Sequence, residues 1–255
     1  MIQAKKQFGQ NFLQDESIIQ KIVTSIHPAS SDHMVEIGPG LGALTTALAE
    51  HVNRLDVIEI DQDLIPELST RLKACDITNT HITHADALTF DYAQLTDTQI
   101  RVVGNLPYNI STPLLFHLLK VKSQIIDMHF MLQKEVVDRI CAEPGSKQYG
   151  RLTIMVQYHC QATPLFFVPP TAFYPRPKVD SAIVRLKPHT DIPYLAKDET
   201  LFSHIVRDAF NQRRKTLRNC LKPYKIDYDQ VDINPQQRPE QLSVQDYVTL
   251  ANHVL

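Results

Sequence analysis

A cluster of glycines directly behind a short apolar run is the feature that most constrains the fold. Three of the seven glycines in this 255-residue chain lie in the segment EIGPGLG, at Gly38, Gly40 and Gly42. Met34–Ile37 before the turn reads as a strand, and Ala43–His51 behind it reads as a helix. Glycine permits positive φ and the close approach of a ligand to the backbone. This arrangement predicts the first unit of an α/β sheet that binds a nucleoside cofactor at its carboxyl edge.

Further strands and helices alternate along the chain. The other predicted strands are Asp56–Ile60, His81–His84, Arg101–Val103 and the apolar run Ile125–Leu132. The predicted helices of this part are Glu16–Ile26, Asp63–Lys73 and Pro113–Val121. Alternation of this kind indicates right-handed βαβ units and a parallel sheet with helices on both faces.

The pattern changes in the last quarter of the chain. Leu201–Leu221 reads as one long basic helix, and Ser243–Val254 reads as a second, with its first residue as the N-cap. The segment Lys187–Pro193 contains two prolines and is the predicted linker. We therefore expect an α/β fold with two domains, which are a Rossmann-like domain over residues 1–189 and a small all-α domain over residues 190–255.

Two carboxylates follow the glycine turn, at the ends of the next two strands. Glu59 comes about 20 residues after the turn, where a carboxylate can accept hydrogen bonds from both ribose hydroxyls of a cofactor. Asp86 follows the third strand and can accept from an adenine amine, although an aspartate that caps a helix explains this position equally well. NAD and S-adenosylmethionine both carry a ribose, so these residues leave either cofactor open.

The segment GNLPY at the end of the fourth strand indicates a more specific chemistry. The adenine N6 amine is a poor nucleophile because its lone pair is delocalised into the ring, and two acceptors on its N–H groups weaken that conjugation. The side-chain oxygen of Asn105 and the backbone carbonyl of Leu106 can supply the acceptors, and Pro107 stiffens the loop that holds them. Tyr108 offers a ring on which the base can stack. An ordinary proline-containing turn is the alternative, but the glycine turn before it favours methyl transfer to adenine.

Charge is distributed unevenly, although the formal net charge is only −2. Residues 54–100 hold nine acidic residues against three basic ones, and residues 205–225 hold seven basic residues against one acidic one. An acidic region suits a cationic ligand and a basic region suits phosphate, but a solvated charged face explains the basic region equally well. The predicted RNA contacts are Arg213, Arg214, Lys215, Arg218 and Lys222, with contributions from Lys5 and Lys6.

The chain resembles the KsgA-type small-subunit ribosomal RNA adenine dimethyltransferases, and the resemblance runs nearly from end to end. It rests on FGQNFL (Phe8–Leu13), EIGPGLGALT (Glu36–Thr45), VIEID (Val57–Asp61), DAL (Asp86–Leu88), GNLPYNIST (Gly104–Thr112), MLQKEV (Met131–Val136), YGRL (Tyr149–Leu152), VPPTAFYPRPKVDSAI (Val168–Ile183), RRKTLRN (Arg213–Asn219) and RPEQLS (Arg238–Ser243). No motif position departs from the family pattern.

This resemblance implies a methyltransferase that uses S-adenosylmethionine to dimethylate two adjacent adenines in the 3′-terminal hairpin loop of 16S ribosomal RNA, within an immature small subunit. Phe173 matches an aromatic residue that faces the flipped base opposite Tyr108, whereas the residues alone also suggest core packing beside a Pro-rich turn. The cofactor contacts implied by position are Asn11, Leu13, Gly38, Glu59, Asp86 and Asn105, with their neighbours Gly40, Ile60 and Ala87.

Two relatives of this kind of protein remain as alternatives. The erythromycin-resistance methylases act on large-subunit RNA with the same catalytic loop, but GNLPYNIST, FYPRPKVDS and the RRKTLRN and RPEQLS segments resemble the small-subunit branch. A non-catalytic assembly factor on a methyltransferase scaffold is the second alternative, and intact Asn105 and Glu59 argue against it.

Other classes of protein are disfavoured. An NAD-dependent oxidoreductase would need a catalytic histidine or a Tyr/Lys pair, and the sequence shows no such arrangement. No metal site is expected, because no cluster of His, Cys or carboxylate residues has the spacing of metal ligands. No apolar run approaches the roughly 20 residues of a membrane helix, and the N-terminus lacks the apolar core of a signal peptide. Cys75, Cys141, Cys160 and Cys220 are far apart and suit reduced thiols, so we expect a cytoplasmic protein. We also expect that it makes no membrane contact and acts as a monomer.

Overall fold

Strands and helices alternate in the computed structural model, which describes residue 5 and residues 8–95 and 98–254. The chain folds into two compact units, and it crosses between them three times. Described residues of 1–137 and of 163–188 form the first unit, and described residues of 138–162 and of 189–255 form the second. Lys6, which is a predicted RNA contact, and Asp97, which is one of the nine acidic residues of 54–100, lie outside the described residues.

Seven strands form the main sheet of the first unit, and two short strands form a separate pair. In chain order the strands are β1 (Phe12–Leu13), β2 (His33–Ile37), β3 (Arg54–Glu59), β4 (Thr80–His84), β5 (Ile100–Asn105), β6 (Ile125–Gln133), β7 (Cys160–Val168), β8 (Phe173–Tyr174) and β9 (Ser181–Pro188). The main sheet has the order β4-β3-β2-β5-β6-β9-β7, while β1 pairs with β8.

The helices of the two units are, in chain order, α1 (Glu16–Ile26), α2 (Ala43–Ala49), α3 (Ile65–Ala74), α4 (Ser111–Leu119), α5 (Lys134–Ile140), α6 (Arg151–His159), α7 (Glu199–Asn211), α8 (Leu217–Cys220), α9 (Tyr228–Val231) and α10 (Val244–Val254). α1 has the predicted bounds because Asp15 caps it, with its carboxylate accepting from the N–H groups of Ser17 and Ile18. Ser243 also fulfils its predicted role, since its hydroxyl accepts from the N–H of Asp246 in the first turn of α10.

The sheet is parallel from β4 through β6, as predicted, but β9 pairs antiparallel with β6, so the sheet is mixed. The fully parallel sheet was wrong because the regular alternation of strands and crossover helices ends at β6. Parallel neighbours need such crossovers, whereas a returning strand does not. β7, β8 and β9 lie in a proline-rich part of the sequence, where the spacing of apolar residues did not predict strands.

Strand order reverses between β2 and β5, which creates a crevice at the carboxyl ends of these strands. Ile37 at the end of β2 is in register with Gly104 of β5. A Cβ atom on Gly104 would lie 2.6 Å from the carbonyl oxygen of Ile37, so only glycine allows this approach of the two strands. The glycine turn and the GNLPY segment therefore emerge side by side.

Arg101 anchors the opposite end of β5 through a buried ion-pair network. Its guanidinium donates to both carboxylate oxygens of Asp127 on β6, at 2.9 and 3.0 Å, and to Asp32 at 2.7 Å. It also donates to the carbonyl of Ile26 at 2.7 Å, at the C-terminal end of α1. Because Arg101 is 8% exposed and Asp127 1% exposed, loss of either partner would leave a buried charge.

The second unit is helical, and its bounds differ from the predicted all-α domain. Residues 138–162, predicted to lie in the first domain, form a compact unit with residues from 189 onwards. The reason is the buried face of α6, where the ring of Tyr158 lies 4.6 Å from the ring of Phe202 on α7. A single boundary drawn along the sequence could not predict a unit that is built from two separate segments of the chain.

The long basic helix over Leu201–Leu221 was wrong. α7 ends at Asn211, a turn follows, and the short α8 begins at Leu217. Six polar or charged residues, 211–216, separate Ala209 and Phe210 from Leu217, so a continuous helix would have no buried face across the turn. Within the described residues, no helix has both the length and the apolar character that spanning a bilayer requires.

Candidate cofactor and catalytic site

A cavity of about 340 Å³ opens at the carboxyl ends of β2, β3 and β5, entirely within the first unit. Its size lies within the range of small-molecule sites. The wall is formed mainly by five segments of chain, which are residues 8–13, 36–41, 58–60, 85–88 and 105–110. These segments contain the glycine turn, both predicted carboxylates and the GNLPY loop, so the structure brings them to one place.

The glycine turn has the backbone that its sequence predicts. Gly38, Gly40 and Gly42 adopt positive φ of 68°, 56° and 81°, a region that side chains with a Cβ rarely adopt. A Cβ on Gly40 would also come within 3.1 Å of the Phe12 ring, which lines the same cavity. At Gly38 and Gly40 the cavity wall is therefore formed by backbone atoms rather than by side chains.

Glu59 lies at the end of β3 with its carboxylate held by two backbone donors. Oε1 accepts from the N–H of Asp61 at 2.8 Å, and Oε2 accepts from the N–H of Gly40 at 3.2 Å. Burial raises the pKa of Glu59, and these two N–H groups partly offset that effect. Each carboxylate oxygen has a further lone pair, so Glu59 can still accept from two ribose hydroxyls.

Glu36 is a second buried carboxylate on the cavity wall, and the sequence analysis did not assign it a role. It is 2% exposed, and its Oε2 atom has no hydrogen-bond partner among the described residues. Burial, together with the negative charge of Glu59, raises the pKa of Glu36 to about 7. The Thr45 hydroxyl partly offsets this rise in pKa, and a buried carboxylate oxygen without a partner favours a cationic ligand nearby. Its place in EIGPGLG, directly before the glycine turn, was the available signal.

The carboxyl ends of β3 and β4 contribute an apolar and a polar contact. Asp86 accepts from the N–H of Leu88 at 2.9 Å through Oδ1, so it does cap the following turn, and Oδ2 remains for a ligand. Ile60 is 43% exposed and Ala87 is buried, and both line the cavity. A carboxylate beside an exposed aliphatic side chain suits the amine and the face of an adenine ring.

The segment before α1 closes one side of the cavity. Lys5 Nζ donates to Asp61 Oδ1 at 2.6 Å, and Gln10 Nε2 donates to Asp61 Oδ2 at 2.8 Å. Asp61 in turn donates its N–H to Glu59, so Glu59 and this segment share one hydrogen-bond network. These contacts hold Asn11 and Leu13 on the cavity wall, where the family resemblance predicts them. The ammonium of Lys5, which is a predicted RNA contact, is thus bound by carboxylates of the protein itself.

The GNLPY loop places its predicted acceptors at the cavity. Asn105 Nδ2 donates to the carbonyl of Asn11 at 2.9 Å, so the amide is oriented and its oxygen is left for another donor. The N–H of Leu106 donates to the carbonyl of Met131, which ties the loop to β6. No donor among the described residues contacts the Leu106 carbonyl. Tyr108 is half-buried, and its hydroxyl lies 2.9 Å from Ser181 Oγ.

Phe173 lies outside the residues that line this cavity. It is 4% exposed, pairs with Leu13 in the small β1–β8 sheet and belongs to the hydrophobic core. This is the core packing that the residues alone suggested. Its role against the target base, opposite Tyr108, stays a prediction.

The predicted site residues thus fall into separate places. The nine predicted cofactor contacts and the three other residues of the catalytic loop all line the one cavity, and they are Asn11, Leu13, Gly38, Gly40, Glu59, Ile60, Asp86, Ala87, Asn105, Leu106, Pro107 and Tyr108. Within the part of the chain that the structure describes, no group of three His, Cys, Asp or Glu residues is placed to hold a metal ion.

The basic residues lie in the second unit, in and after the turn that follows α7. All five predicted RNA contacts are exposed, and they are Arg213, Arg214, Lys215, Arg218 and Lys222. None forms an ion pair with another described residue, whereas Arg207 pairs with Asp208 at 2.8 Å and is thereby neutralised. The guanidinium of Arg213 reaches only the carbonyl of Lys147, at 3.4 Å. The cluster therefore presents uncompensated positive charge to solvent.

Comparison with known proteins identifies the family of this chain. The sequence profile of the family described as ribosomal RNA adenine dimethylase matches residues 1–254. The chain is 54% identical to "Ribosomal RNA small subunit methyltransferase A" of Chromohalobacter salexigens, over 99% of this chain and 92% of that protein. It is also 54% identical to the protein of the same name from Pseudomonas aeruginosa, over 98% of this chain and 94% of the relative.

Two solved structures share the fold. A dimethyladenosine transferase from Plasmodium falciparum superposes with a TM-score of 0.83 and 27% identity, over 94% of this chain and 95% of that one. The 23S rRNA methyltransferase ErmE superposes with a TM-score of 0.74 at 23% identity, over 96% of this chain and 99% of that one, and shows the fold alone. The Rossmann-like methyltransferase fold is therefore confirmed. Because the family's profile covers almost the whole chain and these relatives are 54% identical to it, this chain belongs to the ribosomal RNA adenine dimethylase family.

Proposed function

We propose that this protein uses S-adenosylmethionine to dimethylate the N6 amines of two adjacent adenines in the 3′-terminal hairpin loop of 16S ribosomal RNA. We propose further that it acts in the cytoplasm, as a monomer, on an immature small subunit. The observation that carries the proposal is the oriented amide of Asn105, tied to Asn11 at the edge of a cavity that also contains Glu59.

The cavity fits the proposed methyl donor on three observations. Glu59 has acceptor capacity for two ribose hydroxyls, and Asp86 has a free carboxylate oxygen beside apolar Ile60 for adenine. The unpartnered oxygen of Glu36 suits the positive charge of the methionine part. When bound, S-adenosylmethionine supplies an electrophilic methyl group on a sulfonium. No metal is needed for this chemistry, and we propose none.

The chain's own contribution is to hold the target amine. Asn105 Oδ1 and the Leu106 carbonyl accept from the two N–H bonds, which draws the nitrogen towards tetrahedral geometry and stabilises the positive charge that develops on it. Pro107 limits movement of the loop, so the acceptors need no reorganisation during the reaction. The ring of Tyr108 can stack on the flipped base, and stacking of this kind returns roughly 1–3 kcal/mol of the cost of flipping.

RNA is held by basic residues of the second unit. The exposed cluster Arg213–Lys215, with Arg218 and Lys222, suits phosphate, because its charges are free of ion pairs with described residues. With a net charge of only −2, affinity for naked RNA should be weak and salt-dependent. This supports recognition of a ribosomal particle rather than a free strand.

Methyl transfer separates this proposal from its alternatives. Tritiated S-adenosylmethionine is supplied with unmethylated small subunits or with large subunits, and the labelled base is identified after nuclease digestion. We expect dimethyladenine in two adjacent positions of small-subunit RNA. Label only in large subunits would indicate an activity of the erythromycin-resistance type. Particle binding without methyl transfer would indicate a non-catalytic assembly factor.

A further inference from the structure

The loop Pro175–Asp180, which joins β8 to β9, is exposed along almost all of its length. Five of its six residues are exposed and Pro177 is half-buried. Tyr174, directly before the loop, is 66% exposed, the second most exposed of the large hydrophobic residues described. Such exposure at one residue is common, so the loop's position and charge must decide its meaning.

Both ends of this loop are fixed to residues of the cofactor and catalytic cavity. At its start, Tyr174 and Phe173 pair in register with Phe12 and Leu13, and the latter two line the cavity. At its end, Ser181 Oγ lies 2.9 Å from the hydroxyl of Tyr108. The loop therefore runs between two parts of the cavity wall, beside the place proposed for the target base.

The loop's chemistry suits a polyanion with exposed bases. Arg176 and Lys178 are exposed and form no ion pair or hydrogen bond with any residue that the structure describes. Asp180 is the acidic residue at the end of the loop, and its backbone carbonyl accepts from the N–H of Lys134. Pro175 and Pro177 restrict the backbone, so the exposed ring and the two cations lose little conformational freedom when a ligand binds.

We propose that Tyr174, Arg176 and Lys178 form a contact site for the single-stranded RNA next to the target adenine. The Tyr174 ring stacks on a neighbouring base, and the two cations contact flanking phosphates. An exposed aromatic ring combined with nearby cations is how proteins hold unpaired nucleotides without reading their sequence. The site is separate from the basic cluster of the second unit, and the inference rests on the proposed RNA methylation.

Three variants test the site on unmethylated small subunits. Tyr174→Ala should weaken particle binding roughly 5- to 150-fold, while Tyr174→Phe should bind like the wild type, because stacking needs the ring. The double variant Arg176→Gln/Lys178→Gln should lower the slope of log Kd against log salt by about 1.4, for two contacts to single-stranded phosphate. Cofactor affinity, measured by calorimetry, should stay unchanged in all three.

Matched controls change comparable residues elsewhere. Tyr194→Ala alters a tyrosine that is 42% exposed, and Lys73→Gln/Lys120→Gln removes two exposed charges, so both should bind particles like the wild type. Wild-type Kd and salt slope in Tyr174→Ala and in the double variant of the loop would overturn the inference. If the wild type itself transfers no methyl group to adenine, the proposed function fails instead, so the two failures are distinguishable.

Cross-linking identifies the partner directly. The variant Tyr174→p-azidophenylalanine, bound to the small subunit and irradiated, should cross-link to RNA within a few nucleotides of the methylated adenines. A cross-link to a ribosomal protein, or to distant RNA, would overturn the assignment.

Discussion

Removal of the Glu59 carboxylate should abolish tight cofactor binding. In the structure, each oxygen of this side chain already accepts one backbone N–H, from Asp61 and from Gly40, and keeps one further lone pair. Glu59 can therefore accept from two ribose hydroxyls. A hydrogen bond to a charged group contributes about 1.5–3 kcal/mol, so Glu59→Ala should cost roughly 3–6 kcal/mol of binding free energy. That corresponds to a loss of affinity of roughly 10²- to 10⁴-fold.

Isothermal titration calorimetry with S-adenosylmethionine, or with its demethylated product, measures this loss. The substitution also leaves two N–H groups without their acceptor, which costs about 1–3 kcal/mol of folding stability, so circular dichroism must first show a folded variant. Glu59→Gln keeps one acceptor oxygen and should show an intermediate loss of affinity. Glu67→Ala, which removes an exposed carboxylate from α3, serves as the control. Unchanged affinity in folded Glu59→Ala would remove this residue from the cofactor site.

Three further perturbations test other parts of the account. Glu36 binds its proton more tightly in the folded protein than in the unfolded chain. The free energy of unfolding of the cofactor-free protein should therefore fall as the pH rises from 4.5 through about 7. Glu36→Gln should remove that fall and stabilise the protein at pH 8 by roughly 3 kcal/mol, measured by urea denaturation, and an unchanged pH profile would contradict the assigned pKa. Arg101→Ala should cost about 3–5 kcal/mol of stability because it leaves the buried Asp127 with Arg185 alone, at 3.3 Å, and a loss below 1 kcal/mol would refute this. The triple replacement of Arg213, Arg214 and Lys215 with glutamine should weaken particle binding and flatten its salt dependence without altering cofactor affinity. An unchanged salt slope would show that these residues form only a solvated charged face.

Local patterns predicted most of the first unit and its cavity. The bounds of α1 follow from its apolar spacing and its cap, and the glycine turn required both positive φ and the end of a strand. Once strands alternate with crossover helices, their carboxyl ends must meet, so Glu59, Asp86 and Asn105 were expected on one edge. Residues whose role depends on strand order alone were therefore predictable.

Contacts between distant segments were not predictable in the same way. Lys5 contacts Asp61 across 56 positions of sequence, and no periodicity marks that pair. Phe173 has the same local sequence whether it faces a base or the core, and only its pairing with Leu13 shows the core packing. The basic stretch after Ala209 looked helical by propensity, but it lacks the apolar residues that a buried helix face requires.

In the proposed mechanism, Asn105 holds the adenine amine for methyl transfer. Single-turnover transfer from saturating S-adenosylmethionine to unmethylated small subunits, compared between wild type and Asn105→Ala, tests this role. Saturation is needed because Asn105 is also a predicted cofactor contact and holds Asn11, which is another, on the cavity wall. Asn53→Ala, on an exposed turn, is the control. We predict a rate lower by roughly 10²- to 10³-fold with little change in particle affinity. A folded Asn105→Ala protein that methylates at close to the wild-type rate would contradict the mechanism.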